Sequence, residues 1–362
     1  LLRPGMYVGD ISSSQEESYI WDDQKIVKKN ILFNRGLCHI VDEIIVNAMD
    51  NKQRDPNMNL LEVEIDLNEK SISVTNNGKS IPVQVHGTKG VYVPEFVFSF
   101  ERSGSNFREE RGTVGGAHGL GAKLTNILSH SFQVIVNDET NKKHYEQLFE
   151  DHMRVKNAPV IRKLLKKEKN SVQIKFVPDL SNFEDAAFDE TFAAMIVKRC
   201  IDVTGTCYML PGKKMNVTVN VIPVNEPMRS LQVHSFVRNF DEYLQLYPQF
   251  EESFISSKKF QNGRWQIAIG ISNHSETIAF VNGINIPKGT HINCILNQIL
   301  AAYKKKMKLE DTFRMTSLKQ YFSIAVNCLV DDPIFDSQTK QKLTTPMSQF
   351  SDECILPKLF IS

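Results

Sequence analysis

Between residues 35 and 77 the hydrophobic period changes from that of a helix to that of a strand, and this change limits the folds open to the chain. Leu37, Ile40, Val41, Ile44, Ile45 and Ala48 recur at helical spacing over residues 35–49, with Asn34 placed to cap the first turn. Residues 61–65 and 71–74 then alternate as strands across the short polar turn 68–70. Further strand patterns run over residues 131–136, 171–177 and 215–221, and a helical segment over 122–128. A helix followed by paired strands predicts an α+β chain with an antiparallel-leaning sheet and speaks against a doubly wound parallel one. The segment from Pro223 to Pro227 is the best boundary, so residues 1–228 and 229–362 are expected to form two domains. The second carries alternating patterns at 265–269 and 278–281 and a long helix near 291–307.

Charge and composition exclude several classes. Among 362 residues, 43 basic against 42 acidic side chains leave a net charge of +1, which is neither a polybasic tail nor an acidic disordered chain. No stretch approaches the ~18 apolar residues of a membrane span, so no membrane partner is expected. The six cysteines form no CxxC pair, and reduced thiols in an intracellular protein are the simplest reading. The start, Leu1-Leu2-Arg3-Pro4-Gly5-Met6, lacks an initiator methionine and a signal layout, which suggests a piece of something longer.

Three polar clusters interrupt this scaffold. Glu43, Asn47 and Asp50 stand at i, i+4 and i+7, so one helix face presents a carboxylate, an amide and a second carboxylate. A solvated face would account for them singly, but lysine or arginine would pair with the acids better than an asparagine does. Thr75-Asn76-Asn77-Gly78-Lys79-Ser80 directly follows a strand, where Asn-Gly alone reads as a plain turn. The tract from Gly112 to Lys123 is rich in glycine and opens onto a helix, which lets backbone N–H groups approach phosphate oxygens; alone it also reads as a hinge. It matches neither a Walker loop nor, lacking a βαβ unit, a dinucleotide fingerprint.

In this order and spacing the three clusters resemble the GHKL ATPase superfamily. ExxxNxxD is met by Glu43, Asn47 and Asp50, and the glycine-rich lid by Gly115 to Lys123. Within it the chain is most similar to the eukaryotic type IIA DNA topoisomerases. The tracts Leu2-Arg3-Pro4…Tyr7-Val8-Gly9, Asn47 to Pro56, Tyr92-Val93-Pro94, Gly121-Ala122-Lys123-Leu124 and Phe335-Asp336-Ser337-Gln338-Thr339-Lys340 carry that resemblance. A MutL-like repair ATPase and a nucleotide-binding scaffold without efficient hydrolysis are the alternative readings.

The resemblance implies a GHKL α/β sandwich that binds ATP with Mg²⁺, followed by a smaller α+β transducer domain. It assigns Glu43 as the base for the attacking water, Asn47 as the Mg²⁺ ligand, and Asn51 to the phosphates and sugar. Asn76 would accept the adenine amino group, and Ser105 and Asn106 would hold ribose and α-phosphate. Gly116, His118, Gly119, Leu120, Gly121, Ala122 and Lys123 would wrap the phosphates, while Gln338 and Lys340 would reach the γ-phosphate from the second domain. Lys304, Lys305 and Lys306, which otherwise read as a solvated helix end, match a lysine loop that touches DNA. Implied partners are a second copy of the chain on ATP binding and double-stranded DNA. The implied location is the nucleus, with organellar and viral settings left open. Ala117, His118 and Leu120 depart from the lid usual in eukaryotic members, Ser80 replaces a glycine, and the family's N-terminal strap is not complete.

Overall fold

The computed structural model describes residues 5–100, 120–233, 237–250, 254–257, 263–271, 275–308, 321–337 and 339–356. A short helix α1 (Gly5–Val8) precedes the hairpin β1 (Ser14–Asp22) and β2 (Lys25–Phe33) and the long helix α2 (Arg35–Arg54). Then come β3 (Leu60–Asp66), β4 (Ser71–Asn77), α3 (Val93–Ser99) and α4 (Gly121–Ile127). Strands β5 (Ser129–Asp138), β6 (Lys143–Glu150), β7 (Val155–Lys156), β8 (Val160–Lys163) and β9 (Ser171–Pro178) lead to α5 (Glu190–Cys207), β10 (Asn216–Ile222) and β11 (Arg229–Gln232). The remainder holds α6 (Phe240–Leu244), β12 (Phe254–Ser257), β13 (Trp265–Ile271), β14 (Thr277–Val281), β15 (Ile284–Asn285) and β16 (Lys288–Gly289). It ends with α7 (Thr290–Met307), β17 (Phe322–Cys328) and β18 (Lys342–Leu343).

The main sheet runs β11-β10-β3-β4-β9-β5-β6, with β7 and β8 both on β6, and is antiparallel except where β10 meets β3. This is the antiparallel-leaning α+β arrangement that the change of period predicts. Register aligns Val219, Val63, Val74, Ile174 and Val134 in one row across five strands, all of them buried. Helices α2, α4 and α5 pack on the sheet. Asn76 lies two residues beyond Val74 on the same face, in the neighbouring row Val217, Leu61, Asn76, Val172 and Val136, where it is the one polar member.

The second sheet runs β12-β13-β17-β14-β15, with β14 parallel to β17. Ile292, Ile295 and Leu296 of α7 share its core. That core also takes in Val46 of α2, whereas the neighbouring Ile44, Ile45 and Ala48 belong to the first. One helix therefore serves both cores. The strand after Pro227, β11, is the edge of the first sheet, and Phe240, Tyr243, Tyr247 and Phe250 are buried in the first core.

Polar contacts fasten the two parts. Arg199 of α5 pairs with Asp42 of α2 through Nε, and its Nη2 donates to Gly283 O at 3.0 Å. Asn327 Nδ2 donates to Thr206 O at 3.1 Å, and Lys28 Nζ lies 2.8 Å from Glu276 Oε1.

Candidate functional site

Helix α2 places the first cluster. Asn34 caps it by accepting from Leu37 N at 3.0 Å, and the helix predicted for 35–49 continues beyond the apolar stripe to Arg54. Between residues 43 and 50 every side chain of α2 is buried except Asn47, which is exposed. Glu43 and Asp50 are buried carboxylates, and a buried carboxylate needs a partner.

For Glu43 the partner comes from the far end of the chain. Lys340 Nζ lies 3.3 Å from Glu43 Oε1, with the two side chains only 6% and 7% exposed. Burial pulls the Lys340 ammonium down, but the charges of Glu43, Asp50 and Asp42 outweigh it and leave its pKa raised. His39, one turn before Glu43, brings Nε2 to 3.5 Å from the same oxygen. The sequence reading did not single out His39, although its i, i+4 spacing to Glu43 was a usable signal.

Lys340 reaches Glu43 because its loop is held at both ends. Lys340 itself takes a left-handed conformation at φ 52°, with its N–H donating to Ser337 O at 3.1 Å. Thr344 N donates to Ile334 O at 2.8 Å, and β18 pairs in parallel with β16 at the start of α7. On the other side Gly9, at φ 85°, has only 3.0 Å between an added Cβ and Thr339 Cγ2, so the Tyr7-Val8-Gly9 tract seats this loop.

Helix α4 closes the opposite wall. A Cβ on Gly121 would overlap the Glu43 carboxylate, so glycine is required where α4 meets α2. Thr125 Oγ1 donates to Ile40 O at 2.8 Å and fixes the crossing. Ala122 and Lys123 are buried in α4, Leu120 is half-buried just before it, and burial pulls the Lys123 ammonium down to about 8.

Asn51 and Asn76 converge on one carbonyl. Asn51 Nδ2 donates to Asn77 O at 3.2 Å and Asn76 Nδ2 to the same oxygen at 2.9 Å. Donation through Nδ2 leaves Asn76 Oδ1 as an acceptor. Asn77 in turn clamps the loop before β3, its Oδ1 accepting from Asn59 N and Leu60 N at 3.0 and 2.9 Å. Gly78, at φ 92°, abuts Met58 and Asp55, and the loop carrying those residues is pinned by Lys52. Lys52 is 1% exposed and donates to Pro56 O, Met58 O and Lys213 O at 3.0, 2.8 and 2.7 Å. The tract after Asn47 is thus the mould for the turn beyond β4. Ser80 donates to Ser171 O at 3.3 Å and has no left-handed φ, so the turn does not require a glycine there.

The structure therefore brings Glu43, Lys340, Gly121, Asn51 and Asn76 to the end of the main sheet around α2. Ser105, Asn106, Gly116, His118, Gly119 and Gln338 lie outside the described residues. Lys304, Lys305 and Lys306 are apart from this site, in the last turn of α7.

Comparison with known proteins places these features in a family. Residues 34–157 match the family of histidine kinase-, DNA gyrase B-, and HSP90-like ATPases, and residues 233–359 match DNA gyrase B. The chain is 36% identical, over its whole length, to a probable DNA topoisomerase 2 of Dictyostelium discoideum and 32% identical to DNA topoisomerase 2 of Saccharomyces cerevisiae. It spans 23% and 26% of the length of those relatives. The solved ATPase region of Saccharomyces cerevisiae topoisomerase II superposes with a TM-score of 0.87 at 32% identity, covering 99% of this chain and 92% of that one. The ATPase and transducer domains of Balamuthia mandrillaris DNA topoisomerase II give 0.86 at 32% identity, with coverages of 99% and 90%.

Proposed function

The chain belongs to the family of type II DNA topoisomerase ATPase regions, and from that membership we propose that it is an ATP-driven gate. Binding of ATP closes two copies around a DNA segment, and hydrolysis reopens them.

The observation that carries this reading is the buried Lys340–Glu43 pair, which joins the two parts of the molecule at the proposed reacting centre. Glu43 takes a proton from the water that attacks the γ-phosphorus, and the bond to the ADP oxygen breaks. Lys340 exchanges its carboxylate partner for the γ-phosphate, which frees Glu43 to act as base and stabilises charge on the transferring group. Gln338 is assigned beside it, outside the described residues.

The other contacts follow the same fold. Asn76 Oδ1 receives the adenine amino group, and Asn51 faces the sugar and phosphates. Ser105, Asn106 and the run Gly116, His118, Gly119, Leu120, Gly121 and Ala122 hold ribose and phosphates. The donor set suits Mg²⁺, because the single exposed side chain between residues 43 and 50 is the Asn47 amide, a hard oxygen donor. Asn47 would hold the ion, which when bound neutralises charge on the phosphates.

The loop of Lys340 is paired through β18 and β16 to the N-terminus of α7, whose last turn carries Lys304, Lys305 and Lys306. With 18 residues, α7 spans about 27 Å. It supports a lever from the γ-phosphate to a lysine cluster that holds DNA phosphates without reading sequence. We keep an ATP-binding part, residues 1–228, and a transducer, residues 229–362; the DNA gyrase B match begins close to that boundary, at residue 233, and β11 and the buried side chains of residues 240–250 pack against the first part. No helix among the described residues is long and apolar enough to cross a membrane, and the nucleus is the proposed compartment.

Steady-state ATP hydrolysis against protein concentration tests the gate. The specific rate should climb with concentration as two copies meet. A measurable rate that is independent of concentration overturns ATP-driven dimerisation, and no hydrolysis at any concentration favours a scaffold. A second test uses Lys123. Its ammonium is charged below about 8, and phosphate favours that form. Affinity for a non-hydrolysable ATP analogue should therefore fall as pH rises through that value, by up to about tenfold per pH unit, and Lys123→Met should flatten the profile.

A further inference from the structure

Three side chains that play no part in the nucleotide site meet where β5 begins, β6 turns toward β7 and β9 ends. His152 Nε2 lies 2.8 Å from Asp179 Oδ2, and His130 Nε2 lies 3.3 Å from Asp179 Oδ1. One potential ligand atom from each residue falls within 4.8 Å of the other two. Backbone bonds fix the frame beneath them. Asp151 N donates to His130 O at 2.9 Å, His152 N to Ser129 O at 3.2 Å, and Asp179 N to Leu128 O at 2.9 Å. The turn that aims His152 inward uses three successive non-glycine residues in the left-handed region, Asp151, His152 and Met153, at φ 49°, 58° and 63°.

We propose that His130, His152 and Asp179 form a binding site for a zinc-like divalent transition metal. Two imidazole nitrogens and one carboxylate oxygen are a donor set for Zn²⁺, whereas Mg²⁺ and Ca²⁺ take oxygen ligands. Tetrahedral zinc bonds of ~2.0–2.1 Å separate neighbouring donor atoms by roughly 3.3 Å, so the three donor atoms, now within 4.8 Å of one another with each imidazole beside a different Asp179 oxygen, need to draw together only slightly around an ion. Asp151 supplies an outer support, its Oδ1 lying 3.2 Å from His152 Nδ1. A proton held there leaves Nε2 with its lone pair toward the metal, the carboxylate–histidine–metal relay of many zinc sites. Asp179 Oδ1 also accepts from Ser181 N and Oγ at 3.0 and 2.7 Å, which fixes the carboxylate and leaves Oδ2 as the better ligand atom. His130 is 61% exposed, so a fourth position is open to water. A bound ion would tie together three separate segments of the main sheet. This site stands independently of the ATPase reading.

The test is calorimetric titration of the chelator-stripped chain with zinc chloride near neutral pH, with magnesium chloride as control, alongside thermal melting. One Zn²⁺ should bind per chain and raise the melting midpoint, since the ion binds the folded state. Magnesium should do neither. His130→Gln and His152→Gln should abolish the binding. Asp151→Asn, which keeps all three ligands, should weaken it by about 10–100-fold. His130 is exposed, so His130→Gln should melt like the wild type without metal, which separates loss of a ligand from loss of fold. Absence of saturable zinc binding, or isotherms of His130→Gln and His152→Gln that superpose on the wild type, would overturn the site and leave a proton-held cluster.

Discussion

Replacing Glu43 with glutamine should leave ATP binding intact and lower the hydrolysis rate by about 10²–10⁴-fold, the usual contribution of a positioned general base. The isosteric amide fits where the carboxylate packs against Gly121, and its oxygen can still accept from Lys340 Nζ, now 3.3 Å from Oε1. What the amide cannot do is take a proton from water at neutral pH. The two readouts are a nucleotide-binding isotherm and steady-state turnover, measured on the same preparation. Unchanged turnover would remove Glu43 from the role of base. Loss of binding together with turnover would mean that the carboxylate holds the site together rather than acting on water.

Much of the scaffold around Glu43 was legible before the structure, because period and capping are local. The stripe from Leu37 to Ala48, the Asn34 cap and the alternation of β3 and β4 all lie within a few residues of the positions read from the sequence. The charged stretch between β5 and β9 hid β6 and β8. β8 stands at the sheet edge and has no buried side chain, while β6, next to it, buries His144 and Gln147 among its apolar residues, so the alternation is blurred. β11 escaped notice for the same reason, with three of its four residues exposed. In the site, the face formed by Glu43 and Asp50 was visible as i, i+7 spacing, yet the exposure of Asn47 between them depends on packing. Lys340 lies 297 positions from Glu43, and no local pattern joins them. Only the family resemblance named it. Lys52 shows the reverse case: the resemblance marked its tract, and the three carbonyls it gathers provide the physical reason.

Lys340→Met should affect two properties at once, and their separation decides what the buried pair is for. Removing the cation leaves Glu43, 7% exposed, without its charged partner, and breaking a buried pair from one side costs about 3–5 kcal/mol. Stability should return in large part in the double variant Glu43→Gln/Lys340→Met, where neither member of the pair carries a charge, so chemical denaturation of all four proteins should give a strongly non-additive cycle. Turnover should not return. A cation on the γ-phosphate contributes about 10³-fold or more to such transfers, so both Lys340 variants should hydrolyse ATP at least that much more slowly than the wild type. ATP should also stabilise the wild type more than Lys340→Met, because the lysine keeps an anionic partner when it leaves Glu43 for the nucleotide. If Lys340→Met is destabilised but turns over ATP normally, the lysine only staples the C-terminal loop to α2. The transducer would then have no direct sense of the γ-phosphate, and the lever through β18, β16 and α7 would have to start elsewhere.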